Sequence, residues 1–234
     1  MEEKINILDL ELDCITAKSA MIQAMQFFDS DSLDTIEIMS MSALMECRDD
    51  ERWKEKAGES EMLIPGESEI LRAADVSDRT IFKETDEGTF LKLFIKYIQK
   101  NHKKFYVLAE TEEELAKTED ILRRRNRGIR FSGQSVLDPQ EAREENVIND
   151  INGTETDCIL SVLHTPYQEE FISRNKALLN ARVWLGCGTV FRQQYDSRSL
   201  GDRAKHFLLK KLFWYRVERQ NREEKGRLRG HIIL

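Results

Sequence analysis

Four short apolar runs constrain this chain more than anything else in it. They are Met62–Ile64, Phe105–Leu108 (FYVL), Asp157–Leu163 (DCILSVL) and Arg182–Leu185 (RVWL). Each is too short for a stable helix, and each gives way to a stretch with helical periodicity. A strand without alternating polar positions has no face to offer water. Such strands suit a parallel sheet covered by helices on both sides. The rest of the chain reads consistently with this. Ile5–Asp13 alternates with period two and reads as one strand, and Thr35–Met41 as another. Helices are expected over Ala17–Phe28, Ala43–Lys56 and the amphipathic Thr89–Lys100. Thr111 caps a further helix to about Asn126, with Glu114 at the capping-box position. Gly128–Phe131 is a brief strand, Asp138-Pro139 opens a helix, and another helix runs from Pro166 to Asn180. The order is β-α repeated. It predicts an α/β domain over residues 1–199 with a mostly parallel sheet and helices on both faces.

The chain has 234 residues, of which 40% are hydrophobic and 34% charged, with only three prolines; that is enough for one sizeable core. Cys14, Cys47, Cys158 and Cys187 are far apart and form no CxxC pair. Cys158 and Cys187 sit in apolar runs and read as buried free thiols, which favours a reducing, cytosolic compartment. No signal peptide is visible, and no apolar run approaches the roughly twenty residues that span a bilayer. Membrane contact is therefore expected to be peripheral.

The segment from 200 to 234 reads as a separate basic helical appendage. From Arg203 to Gly230 it holds ten basic and three acidic side chains, or +7, whereas the whole chain is −7 and the remainder therefore −14. An acidic body with a basic, aromatic tail suits phosphate-bearing partners: an anionic membrane, a lipid diphosphate or a nucleic acid. Nucleic acid is the least favoured, because the body is acidic and the aromatics look interfacial. Phe207, Leu208, Leu212 and Tyr215 recur at helical spacing. They fit either an ordinary stripe facing the core or a face offered to a membrane.

Ligands of parallel α/β sheets bind beyond the carboxyl ends of the strands. The segments to search are Ile64–Glu69, Ala109–Glu112, His164–Glu169 and Gly186–Arg192. Gly186-Cys-Gly188 follows a strand and suits a phosphate loop, but without a full GxGxxG it equally suits a tight turn. His164-Thr165-Pro166-Tyr167-Gln168-Glu169 ends the most apolar strand and opens a helix, whose unpaired N–H groups favour anions.

The run DCILSVLHTPYQEEFISRN (Asp157–Asn175) resembles the signature of the WecB/TagA/CpsF glycosyltransferases, also called glycosyltransferase family 26. Their pattern is an apolar strand, Gly-x-Pro-x-Gln-Glu, and a helix carrying Asn. VWLGCGTVF resembles their next strand and glycine turn, LFWYRVERQNREEKGR their C-terminal stretch, and SEMLIPGESEIL the strand that ends in Pro-Asp-Gly. The resemblance implies a Rossmann-like fold and an inverting, metal-free transfer with no cofactor. N-acetylmannosamine or a related sugar would pass from a UDP-sugar to a polyprenyl-diphosphate-linked acceptor, feeding teichoic acid or another cell-surface polysaccharide. The protein would be bacterial and cytoplasmic, peripheral at the inner face of the cell membrane. Carried over, Glu67 becomes the candidate catalytic base. Arg79, Thr165, Pro166, Gln168, Glu169, Gly186 and Gly188 become substrate contacts. Arg216, Arg219, Arg222 and Arg227 would meet the lipid diphosphate, with Phe213 and Trp214 in the membrane interface. A second copy of the chain or an active paralogue would be a further partner.

The departures are specific. The family's Pro-Asp-Gly reads Pro65-Gly66-Glu67, so its usual catalytic Asp is replaced. The Gly-Gly after the FYVL strand becomes Ala109-Glu110, the Gly before Pro-x-Gln-Glu becomes His164, and an Asp after the late glycine turn becomes Arg192. A side chain where glycine admits a phosphate blocks it. These changes imply an alternative: a catalytically degenerate relative that acts as a partner or regulator at the membrane.

Overall fold

The computed structural model of the chain describes residues 3–140, 144–195 and 200–231; in the last helix, side chains are described from 204 to 223. The elements in order are β1 (Glu3–Ile7), β2 (Leu10–Cys14), α1 (Ala17–Phe27), β3 (Asp34–Met39), α2 (Met41–Glu46), α3 (Glu51–Gly58) and β4 (Met62–Pro65). Then come α4 (Ser68–Ala73), α5 (Arg79–Asp86), α6 (Thr89–Lys100), β5 (Lys104–Ala109), α7 (Glu112–Arg125) and β6 (Arg130–Val136). The chain continues through α8 (Glu144–Asn152), β7 (Cys158–Ser161), α9 (Tyr167–Asn175), β8 (Val183–Gly186), α10 (Gly188–Tyr195) and α11 (Leu200–His231).

Six strands form one sheet in the order β4-β3-β8-β7-β5-β6, and every pairing is parallel. The expected Rossmann-like architecture is present. Strand β5 shows why its sequence is apolar throughout. Phe105, Val107 and Ala109 enter the core beneath α1, α6 and α7, while Tyr106 and Leu108 enter the opposite core beneath α8 and α9. A third core gathers the β1–β2 hairpin, α2, α3, α4 and one face of α11 around Trp53 and Phe213. Strand order reverses direction around β3, β8 and β7, so the crevice expected of such sheets opens at their carboxyl ends.

Several boundaries differ from the sequence reading. The run Ile5–Asp13 is a hairpin, not one strand. Leu8 and Asp9 both take positive φ (54° and 64°) and form a two-residue turn that pairs Ile7 with Leu10. Such turns usually carry Asn-Gly, so no local signal marked this one. The stretch Ala43–Lys56 divides into α2 and α3, with Asp50 capping the second through the Trp53 N–H (3.0 Å). Strand β6 extends to Val136 because a half-exposed edge strand tolerates Ser, Gly and Gln, which hid it from an apolar search. Asp138 accepts a hydrogen bond from the Gln140 N–H (2.8 Å) in a turn, so Asp138-Pro139 does not open the helix, and α8 is described from Glu144. Thr111 does cap α7, accepting from the Glu114 N–H (3.2 Å).

Candidate active site

The four segments singled out at the strand ends converge. Beyond β3, β7 and β8 lies a cleft of about 450 Å³, lined among others by Ser40, His164, Thr165, Gln168, Gly188 and Thr189. On the β4 side lies a second cleft of about 810 Å³, lined among others by Gly66, Glu67, Asp86, Lys92, Gln193 and His206. Helix α10 serves both, Thr189 facing the first and Gln193 the second. Ser42 Oγ and Thr189 Oγ1, 3.4 Å apart, join α2 to α10 between them. Gly188 starts α10 with φ +45°, a conformation that strains any other residue. The tight-turn reading of the glycine pair holds at this position.

The floor of the first cleft is a buried polar network. Glu37, in the middle of β3, accepts hydrogen bonds from Gln168 Nε2 (2.7 Å) and Trp184 Nε1 (2.8 Å). Gln168 Oε1 accepts from Ser161 Oγ (2.8 Å), and Glu169 Oε1 from Thr165 Oγ1 (2.9 Å). Burial pushes the Glu37 carboxyl well above the usual carboxylate range, and the nearby Glu169 charge pushes it further. Burial likewise raises Glu169. Gln168 and Glu169 were expected to touch the nucleotide sugar. They are 3% and 2% exposed and line the cleft, with the Gln168 amide held by Ser161 and Glu37 and Glu169 Oε1 held by Thr165. Pro166 stands at the N-cap of α9, on the same loop. Gly186 is paired with Glu37 in the β3–β8 register, and its missing side chain leaves room for that carboxyl.

At the cleft mouth, three of the residues that depart from the family pattern belong to one cluster. Glu110 accepts the His164 N–H (2.7 Å) through Oε1 and faces His164 Nδ1 (3.0 Å) through Oε2. Glu114 lies 3.7 Å from His164 Nε2 and 3.1 Å from Arg192. The hydrogen bond with Glu110 raises the His164 imidazole above its ordinary value, against burial, and the charges of Glu110 and Glu114 add to the rise. Burial works to raise Glu110, but the hydrogen bonds from His164 outweigh it and hold the carboxyl low.

The sign of the linkage follows. A histidine raised on folding contributes stability fully present below its unfolded value, near 6.5, and lost as pH climbs through the folded value. A carboxylate lowered on folding contributes stability present above about 4.5 and lost as pH falls through its folded value. His164→Gln is therefore expected to lower Tm most near pH 5.5–6. The gap from the unaltered chain should narrow toward about pH 8.5. Thermal melts across that range check it, and a gap independent of pH would contradict the pairing.

Glu67 is the N-cap residue of α4, at the end of β4. Its Oε1 accepts the Met41 N–H (2.8 Å), and its Oε2 lies 3.7 Å from Nδ1 of His206, on α11. Sequence reasoning missed His206. It is a single histidine far along the chain from Glu67, and only the docking of α11 brings the two together. Arg79 does not reach the site. It is exposed at the start of α5, whereas Thr85 and Asp86 at the other end of that helix line the second cleft.

Helix α11 turns its faces in an unexpected way. Phe213 and Val217 are buried against the body, with Leu209 and Trp214 packed beside them. Phe213 is thus a core residue, and Trp214 is half-buried against the same cluster rather than interfacial. Lys210 pairs with Glu69, Arg216 with Asp49 (2.8 Å), and Gln220 Nε2 donates to Asp9 (2.8 Å). Arg219 and Arg222 pair within the helix with Glu223 and Glu218 (2.8 and 3.3 Å). The Arg227 side chain lies outside the described residues. Phe207, Leu208, Leu212 and Tyr215 are all exposed, so this stripe is not a core face. No helix among the described residues is long and apolar enough to cross a membrane.

The profile of the glycosyl transferase WecG/TagA/CpsF family matches residues 5–194, the hairpin through α10. The chain belongs to this family. No curated protein matches it. Family membership supports a glycosyltransferase role in cell-surface polysaccharide synthesis, which in general takes a nucleotide-sugar donor and a lipid-linked acceptor. Helix α11 lies wholly beyond the matched residues.

Proposed function

We infer that the chain is an inverting transferase. It moves N-acetylmannosamine or a related sugar from a UDP-sugar to a polyprenyl-diphosphate-linked acceptor, at the anionic inner face of the cell membrane. The observation that carries this reading is the pair of adjoining clefts at the strand ends, with the Glu67 carboxyl on the wall of one and α10 shared by both. The donor occupies the cleft of Ser40, His164, Gly188 and Thr189, where α9 and α10 begin. The second cleft carries Glu67, Glu69, Asp86 and Glu87 against Lys92 and His206. Such an acidic lining repels a diphosphate and accepts hydroxyl groups, so it takes the acceptor sugar. The lipid diphosphate then lies outside it, toward the cations of α11. The exposed Phe207, Leu208, Leu212 and Tyr215 enter the membrane interface, flanked by exposed Lys205 and Lys211.

One observation favours a second reading, a degenerate member that serves an active paralogue. Glu110 puts a carboxylate beside His164 at the donor cleft, where a diphosphate would need positive charge. One experiment separates the two. The purified chain on anionic vesicles is given UDP-N-acetylmannosamine and a short-chain polyprenyl-diphosphate-linked sugar, and UDP affinity is measured alongside. Transfer is the expected result. UDP binding without transfer from this or a second UDP-aminosugar favours the degenerate reading. Absence of both binding and transfer overturns the transferase reading and favours the degenerate one.

A further inference from the structure

We propose that His206, brought in by α11, is the catalytic residue that takes the proton from the acceptor hydroxyl, and that Glu67 is a positioning residue acting through it. The assignment rests on the transferase reading above and deepens it.

The geometry favours the imidazole over the carboxylate. Glu67 is only 7% exposed, and the Met41 amide holds its Oε1 at the start of α2. That charge-assisted hydrogen bond fixes the carboxyl in place at the edge of the cleft. Its Oε2 faces Nδ1 of His206 at 3.7 Å, and the His206 side chain, 22% exposed, lines the same cleft about three times as openly. A carboxylate facing one nitrogen of an imidazole fixes ring and tautomer. The 3.7 Å separation exceeds a hydrogen bond, and contacts of this kind commonly tighten when substrate binds.

The surroundings support the charge that would form. Glu69, Asp86 and Glu87 line the cleft with Glu67, and among the described residues Lys92 and the Glu69-bound Lys210 add positive charge. With Glu67 at 3.7 Å and further carboxylates in the same cleft, an imidazolium is stabilised as the proton arrives.

The step balances without a co-reactant. The acceptor O–H bond breaks and its proton goes to the imidazole. The acceptor oxygen forms a bond to the anomeric carbon of the donor, and the bond from that carbon to UDP breaks. Its electron pair leaves on the diphosphate, and the imidazolium then returns its proton to water. One consequence concerns the chain itself. The matched region, residues 5–194, holds the donor cleft and Glu67 but not the base, which belongs to the appendage that also carries the exposed apolar face.

The test uses the full chain on anionic vesicles, with UDP-N-acetylmannosamine and the same short-chain acceptor. His206→Gln is expected to lower kcat roughly 10²- to 10⁴-fold while leaving UDP affinity within about twofold. The wild-type rate profile should show an acidic limb, and the variant should lack it. Added imidazole should raise the residual rate of His206→Gly but not that of Glu67→Gln. If the unaltered chain transfers sugar and His206→Gln stays within about threefold of it, the assignment to His206 is wrong and the transferase reading stands. Loss of UDP affinity in His206→Gln makes the residue structural and overturns the assignment too. No transfer by the unaltered chain overturns the assignment and the reading together.

Discussion

Gly186→Ala is expected to destabilise the chain by about 3–9 kcal/mol, comparable to the whole stability of a typical domain. A Cβ at this position would lie 1.9 Å from Glu37 Oε2 and 2.4 Å from its Cδ. The two residues are register partners in adjacent central strands, so the backbone has no room to yield. The carboxyl cannot yield freely either, because it satisfies both the Trp184 indole and the Gln168 amide. Moving it strands two buried donors at about 1–3 kcal/mol each, on top of an overpacking cost of about 1–3 kcal/mol. The cause is specific, so it can be isolated. In a Glu37→Ala background the added methyl has space, and Gly186→Ala should then cost about 1 kcal/mol or less. Urea unfolding of the four chains of this cycle measures the coupling. Equal costs in both backgrounds would mean that the glycine serves the backbone rather than Glu37.

This pair also marks how far the sequence could be read. FYVL and, after Asp157, CILSVL declared buried parallel strands because every position in them is buried. Thr89–Lys100 was legible to its last residue because amphipathic period and helix coincide. Glu37 was not, because an acid inside TIEIM reads as the solvent face of an alternating strand. Only the pairing of β3 with β8 shows that it points into the sheet, opposite a glycine. Glu110, His164 and Arg192 were legible one by one as departures from a family pattern. Their charges compensate one another only because β5, β7 and α10 end side by side. His206 carried no signal at all. Its meaning depends on which face of α11 docks, and the sequence offers two apolar stripes on that helix.

Phe213→Ala decides between those stripes and is the second large expected effect. Phe213 is fully buried in the cluster of Leu44, Trp53, Ile70 and Leu71, and truncating such a side chain costs about 3–5 kcal/mol. Among the described residues, the other ties of α11 to the body include Val217, the partly buried Leu209 and Trp214, and polar pairs to Glu67, Glu69, Asp49 and Asp9. Exposed pairs contribute about 0–1 kcal/mol each. Removing Phe213 therefore takes away the largest single part of the docking energy. The helix should open from the body more readily than the sheet unfolds. Hydrogen exchange should show protection falling across α11 while β5, β7 and β8 keep theirs. Phe207→Ala, on the exposed stripe, should change stability by no more than about 0.5 kcal/mol. If Phe207 proved the costlier of the two, the opposite face of the helix would be the docked one. Salt supplies a second axis, since the polar ties weaken with ionic strength while Phe213 does not. At high salt the unaltered helix should stay docked and the Phe213→Ala helix should open further. Opening carries His206 away from Glu67, so sugar transfer in Phe213→Ala should fall in step with the lost protection even though the donor cleft is untouched.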